Sequence, residues 1–404
     1  MSKSLTAIQV LSPRSRFSNP AGMRCAISLH SHSEHSREML AFLPRLVEGM
    51  PVVRDLFARS VAEYEREEGR PLDFAEWYWR PPVAPAEVVA SEQEHLERRL
   101  GLSGLVSLTD HDTLAGPRAL RASRPETPFS FEWSVPFERS MFHLGVHGIA
   151  AAQVDEIERA LSAYAKAAGY EHGQTLEELL DWLGECPDTF VVLNHPYWDL
   201  ARVGQMRHDA TLLAFLRRHG DRIHALELNG YRSWTENRRV LPLATGFGIP
   251  VVGGGDRHGF TPNAIVNLTG AGCFAEFARE LRVERAACCV VFPEYTQAFV
   301  ARVLQSAGDI LKPHPNHLRG HRTWPERVFT TIDGVERSAA SMWERAPLWV
   351  DVAVGITRSL GTKPLSTLFD MVRADGRGTL ETDCGAGTGF SAFPRLTSGS
   401  AAAA

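Results

Sequence analysis

Short apolar runs alternate along the chain with segments whose apolar residues recur at helical spacing. The predicted strands are the apolar runs at 25–29, 105–108, 190–193, 225–228, 250–253 and 287–292. The predicted helices are the segments at 52–67, 86–100, 154–168, 176–184, 212–218 and 235–246. Because strands that alternate with helices are typical of βα units around a parallel sheet or barrel, the pattern predicts an α/β fold.

The ends of the chain differ from this alternating middle. Residues 1–20 are polar and are predicted to be a flexible N-terminus, and residues 375–404 are rich in Gly, Ser, Thr and Ala, a composition typical of a disordered tail. The main domain is predicted at 21–330, with a C-terminal helical extension at 331–374. The 34–100 segment is too long for one connection, so it is predicted to be an inserted helical segment over one face.

Composition excludes several classes of protein. The chain has 404 residues, of which 44% are hydrophobic and 23% charged, as in an ordinary globular protein. A net charge of −5 argues against a stable nucleic-acid partner, which needs a basic face. The chain contains no run of 18 apolar residues, so no membrane-spanning helix is predicted. The six cysteines form no C-x-x-C pair, so we expect a reducing cytoplasm and no disulfide framework.

The chain contains sixteen histidines, an unusually high number, and many of them lie beside acidic residues where predicted strands end. These clusters contain His30 and His32; Asp110, His111 and Asp112; Glu132 and His143; His195; and Asp256 and His258. In an extended backbone, residues i and i+2 point the same way, so two imidazoles in an HxH can face one metal ion. Each cluster alone has an ordinary explanation, such as a half-exposed strand, a helix cap or a buried core histidine.

All the clusters together favour a single site. In a βα barrel the carboxyl ends of the strands meet at one mouth, where active sites are built. The acid–histidine clusters follow separate predicted strands, so independent ordinary explanations for all of them are improbable together.

The chain resembles the PHP (polymerase and histidinol phosphatase) family of metal-dependent phosphoesterases over roughly residues 22–270. The resemblance is carried by His30-Ser31-His32, by Thr109-Asp110-His111-Asp112-Thr113 with its trailing Ala115-Gly116, by Glu132 followed by His143-Leu144-Gly145, by His195-Pro196, and by Asp256-Arg257-His258. It implies a distorted (β/α)7 TIM-like barrel with two or three divalent ions (Mn, Fe or Zn) at its mouth.

The resemblance also implies which residues hold the ions. The first ion would be held by His30, His32, Glu132 and Asp256, the second by Glu132, His143 and His195, and the third by His111 and His258. Asp110 would orient His111, since metal-ligating histidines usually need an outer carboxylate or carbonyl partner. His258 or His111 could also protonate the leaving group. His258, His111 and Asp110 are therefore the catalytic candidates.

The chain departs from the family pattern after the HxH motif. Where the family commonly has Ser-Asp-Gly, this chain has Ser36-Arg37-Glu38, and Arg37 cannot bind a metal. Glu38, His35 or Glu34 could complete the third site, or that site could be weak or empty.

Four further side chains are predicted to bind substrate. Arg257 and Arg232 would contact phosphate, because guanidinium groups bind phosphate oxygens bidentately. Tyr197 and Trp198, which follow His195-Pro196, would stack on a base or sugar.

The resulting hypothesis is a phosphoesterase that acts on a small phosphorylated metabolite or nucleotide. Two alternatives are an amidohydrolase-like enzyme that cleaves a C–N bond and a non-catalytic PHP-like module. Amidohydrolase barrels usually bridge their ions through lysine, and no lysine occurs between residues 4 and 165, whereas Glu132 is in place.

Overall fold

The computed structural model describes residues 6–12, 17–42, 44, 51–69, 71–167, 175–315, 317, 319–343, 348–362, 380 and 382–384. The strands within these ranges are β1 (Thr6–Val10), β2 (Cys25–Ser28), β3 (Glu38–Met39), β4 (Trp77–Trp79), β5 (Ser103–Val106), β6 (Phe129–Phe137), β7 (Ser140–Ile149), β8 (Phe190–Asn194), β9 (Ala225–Asn229), β10 (Val251–Gly254), β11 (Ile265–Thr269), β12 (Ala287–Val291), β13 (Val328–Ile332) and β14 (Val335–Ser338). The α-helices are α1 (Pro51–Glu68), α2 (Pro85–Leu100), α3 (Ala115–Leu120), α4 (Val154–Lys166), α5 (Leu176–Glu185), α6 (Gln205–His219), α7 (Trp234–Phe247), α8 (Phe274–Arg279), α9 (Phe299–Leu311), α10 (Trp324–Arg327), α11 (Ala339–Met342) and α12 (Leu348–Leu360).

The strands form three hydrogen-bonded sheets, in the orders β1-β12-β11-β2-β5, β10-β9-β8-β7-β6 and β14-β13-β4-β3. The first two mix parallel and antiparallel pairs: β2 runs parallel to β5 and β8 parallel to β9, whereas β6, β7 and β8 form an antiparallel meander. The predicted α/β class is confirmed. The described strands do not hydrogen-bond into one continuous parallel ring, which a regular closed barrel would require.

The predicted strands and helices are present, with ends that differ by a few residues, but the long β6–β7 hairpin was not among them. The first strand of the hairpin begins by alternating aromatic with polar residues, and most positions in its two strands are buried. Because both faces are covered, the polar positions do not mark an exposed side of the strand. This hairpin carries Glu132 and His143 and lies between β5 and β8, so it brings two predicted ligands toward the other strand ends.

The predicted flexible N-terminus is wrong for residues 6–10. This segment forms β1, which pairs in parallel with Ala287–Val291 of β12. Ile8 and Val10 pack on the main core, and burial of these alternate side chains stabilises an edge strand. Residues 1–5 and 13–16 lie outside the described residues.

The 34–100 segment and the C-terminal region share the third sheet. Strands β3 and β4 come from the predicted insertion, and β4 pairs with β13, which begins the region predicted to be a helical extension. That extension therefore opens with a β-hairpin before α11 and α12. Most of the predicted disordered tail lies outside the described residues, but Leu380 is 2% exposed in the core and Asp383 accepts a hydrogen bond from Trp234.

Helix α2 shows how the insertion is attached to the main sheets. Pro85 fits the first helical turn, where its missing N–H leaves no bond unmade. The buried side chains Val88, Glu92, Leu96 and Leu100 recur every four residues and therefore share one face of the helix. Three of these are apolar, whereas Glu92 is a carboxylate with no exposed surface.

The main core also contains a histidine without hydrogen-bond partners. His219 is 1% exposed, its ring lies 5.6 Å from that of Phe137 and 5.2 Å from that of Phe215, and neither ring nitrogen has a partner among the described residues. Burial lowers the pKa of His219 to about 4. A buried polar group without a partner is destabilising.

We expect His219→Leu to raise the free energy of unfolding by about 1 kcal/mol near neutral pH. Between the unfolded-state pKa near 6.5 and the folded-state pKa of about 4, His219 is protonated in the unfolded protein but neutral in the folded one. The wild-type protein therefore loses stability as the pH falls through this range. The variant should lose less, which denaturant unfolding at several pH values measures.

His208→Leu is the matched control, since His208 is equally buried but bonds Ser140 Oγ at 2.9 Å and the Pro196 carbonyl at 2.8 Å. That substitution should destabilise the protein. Equal effects of the two substitutions would contradict the assignment for His219.

Candidate metal centre

The histidines predicted from the strand-end motifs meet around the buried carboxylate of Glu132. Oε1 of Glu132 lies 3.1 Å from His143 Nδ1 and 3.2 Å from His195 Nε2. Oε2 lies 3.1 Å from His30 Nε2, 3.4 Å from His32 Nε2 and 3.3 Å from His111 Nδ1. Both oxygens of one carboxylate are therefore shared among five imidazoles from four different parts of the chain.

A second carboxylate faces the HxH pair from the opposite strand end. Asp256 Oδ1 lies 3.5 Å from His30 Nε2 and 3.4 Å from His32 Nε2. The two ring nitrogens thus lie between Asp256 and Glu132, where a cation could contact all four side chains.

Glu38 supplies the third carboxylate. Its Oε2 lies 3.3 Å from His111 Nε2 and 3.0 Å from His258 Nε2. Of the three residues considered as substitutes for the family aspartate, Glu38 is the one that faces these histidines. Glu34 instead lies 3.8 Å from His321.

Four groups of side chains place ligand atoms within 4.8 Å of one another and could each hold an ion. They are His30, His32 and Asp256; His30, Glu132 and His195; His111, Glu132 and His143; and His32, Glu38, His111 and His258. All nine residues predicted to bind metal belong to these groups.

Hydrogen bonds outside the cluster decide which ring nitrogens of the HxH pair could bind an ion. His30 Nδ1 lies 2.6 Å from Glu227 Oε1, and a carboxylate accepts, so Nδ1 donates to Glu227 and Nε2 is the nitrogen left to bind an ion. Ser36 Oγ donates its single proton to Glu38 at 2.6 Å, so it accepts from His32 Nδ1 at 3.1 Å. His32 Nε2 is likewise left with a lone pair, directed at Glu132 and Asp256.

The donor atoms fit a metal ion. His32 Nε2 and His143 Nδ1 are buried and have no hydrogen-bond partner among the described residues, although both lie beside carboxylates. Buried polar atoms normally have a partner, and a cation would supply one. Imidazole nitrogens combined with carboxylate oxygens are a donor set that Zn, Mn and Fe accept.

The backbone bends sharply where these side chains leave the strands. His30, His195 and Asp256 have φ angles of 62°, 29° and 56°, in the left-handed region that residues other than glycine seldom adopt. Each follows or closely follows a strand of buried residues. Such conformations cluster at functional sites, where the surrounding contacts hold them in place.

Electrostatics in the ion-free cluster keep its acids ionised and several histidines protonated. Burial alone would raise the pKa of Glu132, but His30, His143 and His111 hold it well below the usual range. Burial alone would lower the pKa of His111, but Glu38 and Glu132 raise it to about 10. The same balance, from Glu38 and Asp256, raises the pKa of His258.

Glu227 belongs to the site, although sequence reasoning gave it no role. Besides holding His30, it accepts hydrogen bonds from the His195 backbone at 2.7 Å and from Asn229 Nδ2 at 2.9 Å. A Cβ at Gly254 would lie 1.8 Å from Glu227 Oε1, so only glycine leaves room for this carboxylate. The available signal was a glutamate inside the apolar strand β9, next to a strand that ends in glycines.

The predicted role of Asp110 is corrected. Its carboxylate accepts hydrogen bonds from the Ser33 backbone at 2.6 Å and from Ser33 Oγ at 2.8 Å, whereas both His111 nitrogens face Glu38 and Glu132. Asp110 thus fixes the turn after the HxH motif and does not orient the His111 ring.

Arg257 is also placed differently from the prediction. Its side chain is 2% exposed and points away from the cluster, to Glu92 at 2.7 Å and the Gly259 carbonyl at 2.7 Å. A guanidinium held in this way cannot reach a substrate phosphate.

Tyr197 and Arg232 lie beside the centre without facing it. Tyr197 packs on the main core under the guanidinium of Arg239, at 3.8 Å from its ring centre. Arg232 is paired with Glu236 at 2.8 Å and lies 4.5 Å over the ring of Trp198. Trp198, rather than Tyr197, reaches the centre, with its ring 4.9 Å from that of His195.

Comparison with known proteins finds no matching family model and no matching curated protein. Among solved structures, an amidohydrolase from Chromobacterium violaceum with bound sulfate and no metal is 20% identical with a TM-score of 0.31, over 44% of this chain and 84% of that one. A protein described as a metal-dependent phosphoesterase from Bifidobacterium adolescentis is 17% identical with a TM-score of 0.31, over 51% of this chain and 92% of that one. Similarity at this level decides neither fold nor function.

Within the described ranges, no helix combines the length and the apolar character needed to cross a membrane.

We expect the affinity of the ion-free protein for Co²⁺ to rise with pH. His111 and His258 must lose their protons before they can bind an ion, and nearby carboxylates raise the pKa of His111 to about 10 and that of His258 above its ordinary value. Each proton displaced should contribute up to about tenfold in affinity per pH unit. Calorimetric titration between pH 6 and 8 in two buffers of different ionisation enthalpy would count the released protons. A pH-independent affinity without proton release would contradict the assignment of these histidines as ligands.

Proposed function

We propose that this protein is a metal-dependent hydrolase that cleaves a phosphate ester of a small molecule. The observation that carries the proposal is the buried Glu132 carboxylate, shared at 3.1–3.4 Å by ring nitrogens of five histidines. A carboxylate that faces so many imidazoles in the interior is suited to bridging cations.

The proposed ligand sets follow the geometry of the cluster. His30, His32 and Asp256 with Glu132 would hold a first ion, Glu132 with His143 and His195 a second, and Glu38 with His111 and His258 a third. Such ions would polarise a phosphoryl group and lower the pKa of water, so that hydroxide is available near neutral pH to attack the phosphorus. Glu227, Asn194 and Ser36 would hold the ligands in place through the bonds that they make to His30, Glu132 and Glu38.

We further propose that the strands around the cluster are a distorted seven-stranded barrel, in the order β2-β5-β6-β7-β8-β9-β10. After β5, a bridge between His111 and Glu132 joins the chain to β6. After β10, the Gly255 and Asp256 backbones donate to the Leu29 and His30 carbonyls at 3.1 and 2.8 Å. These contacts support closure of the ring at the level of the ligands.

Aromatic side chains border the proposed mouth. The ring of Trp198 lies 4.9 Å from that of His195, and those of Trp79 and Tyr231 lie 5.8 and 6.1 Å from that of His258. All three aromatic residues are half-buried. They would exclude bulk water from one side of the bound phosphate and offer flat apolar faces to the rest of the substrate.

His258 and His111 remain the candidates for protonating the leaving group. Their side chains are 12% and 15% exposed, more than those of His30 and His32, so they lie at the open side of the cluster. His258 Nδ1 donates to the Asp256 carbonyl at 2.8 Å, which directs Nε2 toward Glu38 and the mouth. This role requires that the third ion does not occupy Nε2.

Hydrolysis of a C–N bond is the second candidate. The central carboxylate argues for the phosphoesterase, because the usual bridge of an amidohydrolase barrel is a lysine, whereas the residue shared by the histidines here is the glutamate Glu132.

Metal analysis of the purified protein and a screen of nucleotides, sugar phosphates and phosphodiesters would test the proposal. We expect bound divalent ions and hydrolysis of at least one phosphate ester. His30→Ala should lower that activity by at least about 100-fold, since loss of an outer partner alone typically costs about 10–100-fold. His208→Leu, which alters a buried histidine outside the cluster, is the control and should retain the metal content and the turnover per folded molecule.

The outcomes separate the alternatives. A metal-loaded protein that hydrolyses amides but no phosphate ester would favour the C–N hydrolase. If His30→Ala left metal content and every hydrolase activity unchanged, the protein would be a module without catalysis at this site.

A further inference from the structure

A fully buried ion pair lies behind the candidate metal centre. Glu92 of α2 has no exposed surface, and its Oε1 accepts a hydrogen bond from Arg257 Nη1 at 2.7 Å. Neither residue faces the mouth. Buried ion pairs bring little net stability, because desolvation offsets their attraction, so stability alone does not explain why this one is present.

Glu92 receives hydrogen bonds from two separate segments that carry ligands. Ser28, the last residue of β2, donates to Glu92 Oε2 at 2.8 Å, two positions before His30. From the segment after β10, both Arg257 and the Asn263 backbone donate to Oε1, at 2.7 and 3.0 Å. One carboxylate therefore ties the HxH segment to the segment that contains Asp256 and His258.

The side chain of Asn263 extends this connection around His30. Its Nδ2 lies 3.0 Å from the Leu29 carbonyl and 3.1 Å from Ser31 Oγ, the residues on either side of His30. A Cβ at Gly255 would lie 1.6 Å from Asn263 Oδ1, so glycine at that position is required for the amide to enter.

Arg257 fixes the other ligand segment from within. It lies between Asp256 and His258, and its guanidinium also donates to the Gly259 and Phe260 carbonyls at 2.7 and 3.1 Å. The loop is thus folded around its own arginine, and Glu92 anchors that arginine to α2.

We propose that Glu92 is a positioning residue, which sets the first and third metal sites through Arg257 and Asn263. The inference rests on the proposed metal centre. The second site, formed by Glu132, His143 and His195, lies on strands β6, β7 and the end of β8, which Glu92 does not contact through any of the hydrogen bonds above.

Titration of the ion-free, full-length protein with Co²⁺, followed by its visible absorption spectrum, tests the proposal. Glu92→Gln should weaken binding at the first and third sites about 10- to 100-fold and alter their spectrum, as loss of an outer partner does. Binding at the second site should keep its affinity. Glu94→Gln, on the exposed face of the same helix, is the matched control and should behave as the unaltered protein.

A double variant separates positioning from simple loss of structure. Glu92→Gln leaves Arg257 as a buried cation without its counter-ion, and adding Arg257→Met removes that charge. We expect the double variant to recover part of the Co²⁺ affinity lost in Glu92→Gln. If Glu92→Gln does not fold, Ser28→Ala removes the hydrogen bonds of Ser28 Oγ to Glu92 and from Asn263 without leaving a charge unpaired, and it should shift the same two sites by a smaller factor.

Three results would be decisive against parts of this account. Unchanged Co²⁺ affinity and spectrum in Glu92→Gln would overturn the positioning role, and so would an equal loss at all three sites. If the unaltered protein itself bound no Co²⁺, the proposed metal centre would fail before any question about Glu92 arose.

Discussion

The structure depends on carboxylates that are buried within strands or just after them. Glu132, Asp256 and Glu227 are each at most 3% exposed, and an ionised carboxylate removed from water must be compensated by cations or hydrogen-bond donors. The chain compensates them with imidazoles that arrive on other strands. Because every carboxylate draws on partners distant in sequence, the strand ends can converge only in an arrangement that brings these partners together.

The inserted segment contributes to the centre as well as covering it. Glu38 supplies a carboxylate, Trp79 packs against His258, and Glu92 anchors the segment after β10 from behind. The antiparallel pairing of Glu38 with Trp79 places one side chain among the histidines and the other beside them. The inserted segment, which the sequence alone suggests is a long connection, therefore contributes side chains to the candidate metal centre.

Sequence patterns identified the residues that cluster in the candidate metal centre but misplaced several of their neighbours. The strand-end histidines were identifiable because polar residues directly after an apolar run stand out, and strand ends meet in space. Arg257 was expected to face substrate, yet its guanidinium turns inward to Glu92. Asp110 was expected to orient His111, yet its carboxylate accepts hydrogen bonds from Ser33. The direction of a side chain next to a ligand depends on contacts 77 or 165 positions away in the chain, which no local pattern contains.

By itself, the sequence determined the α/β alternation, the extent of most helices and strands, and the set of residues able to hold cations. These follow from local periodicity and from the chemistry of residue types. Tertiary structure alone decided that Glu38 completes the group around His111 and His258, that Glu227 and Ser36 contact Nδ1 of His30 and of His32, and that residues 6–10 form a strand. Each of these depends on which buried donor meets which acceptor across the fold, and that is settled only when the strands have packed.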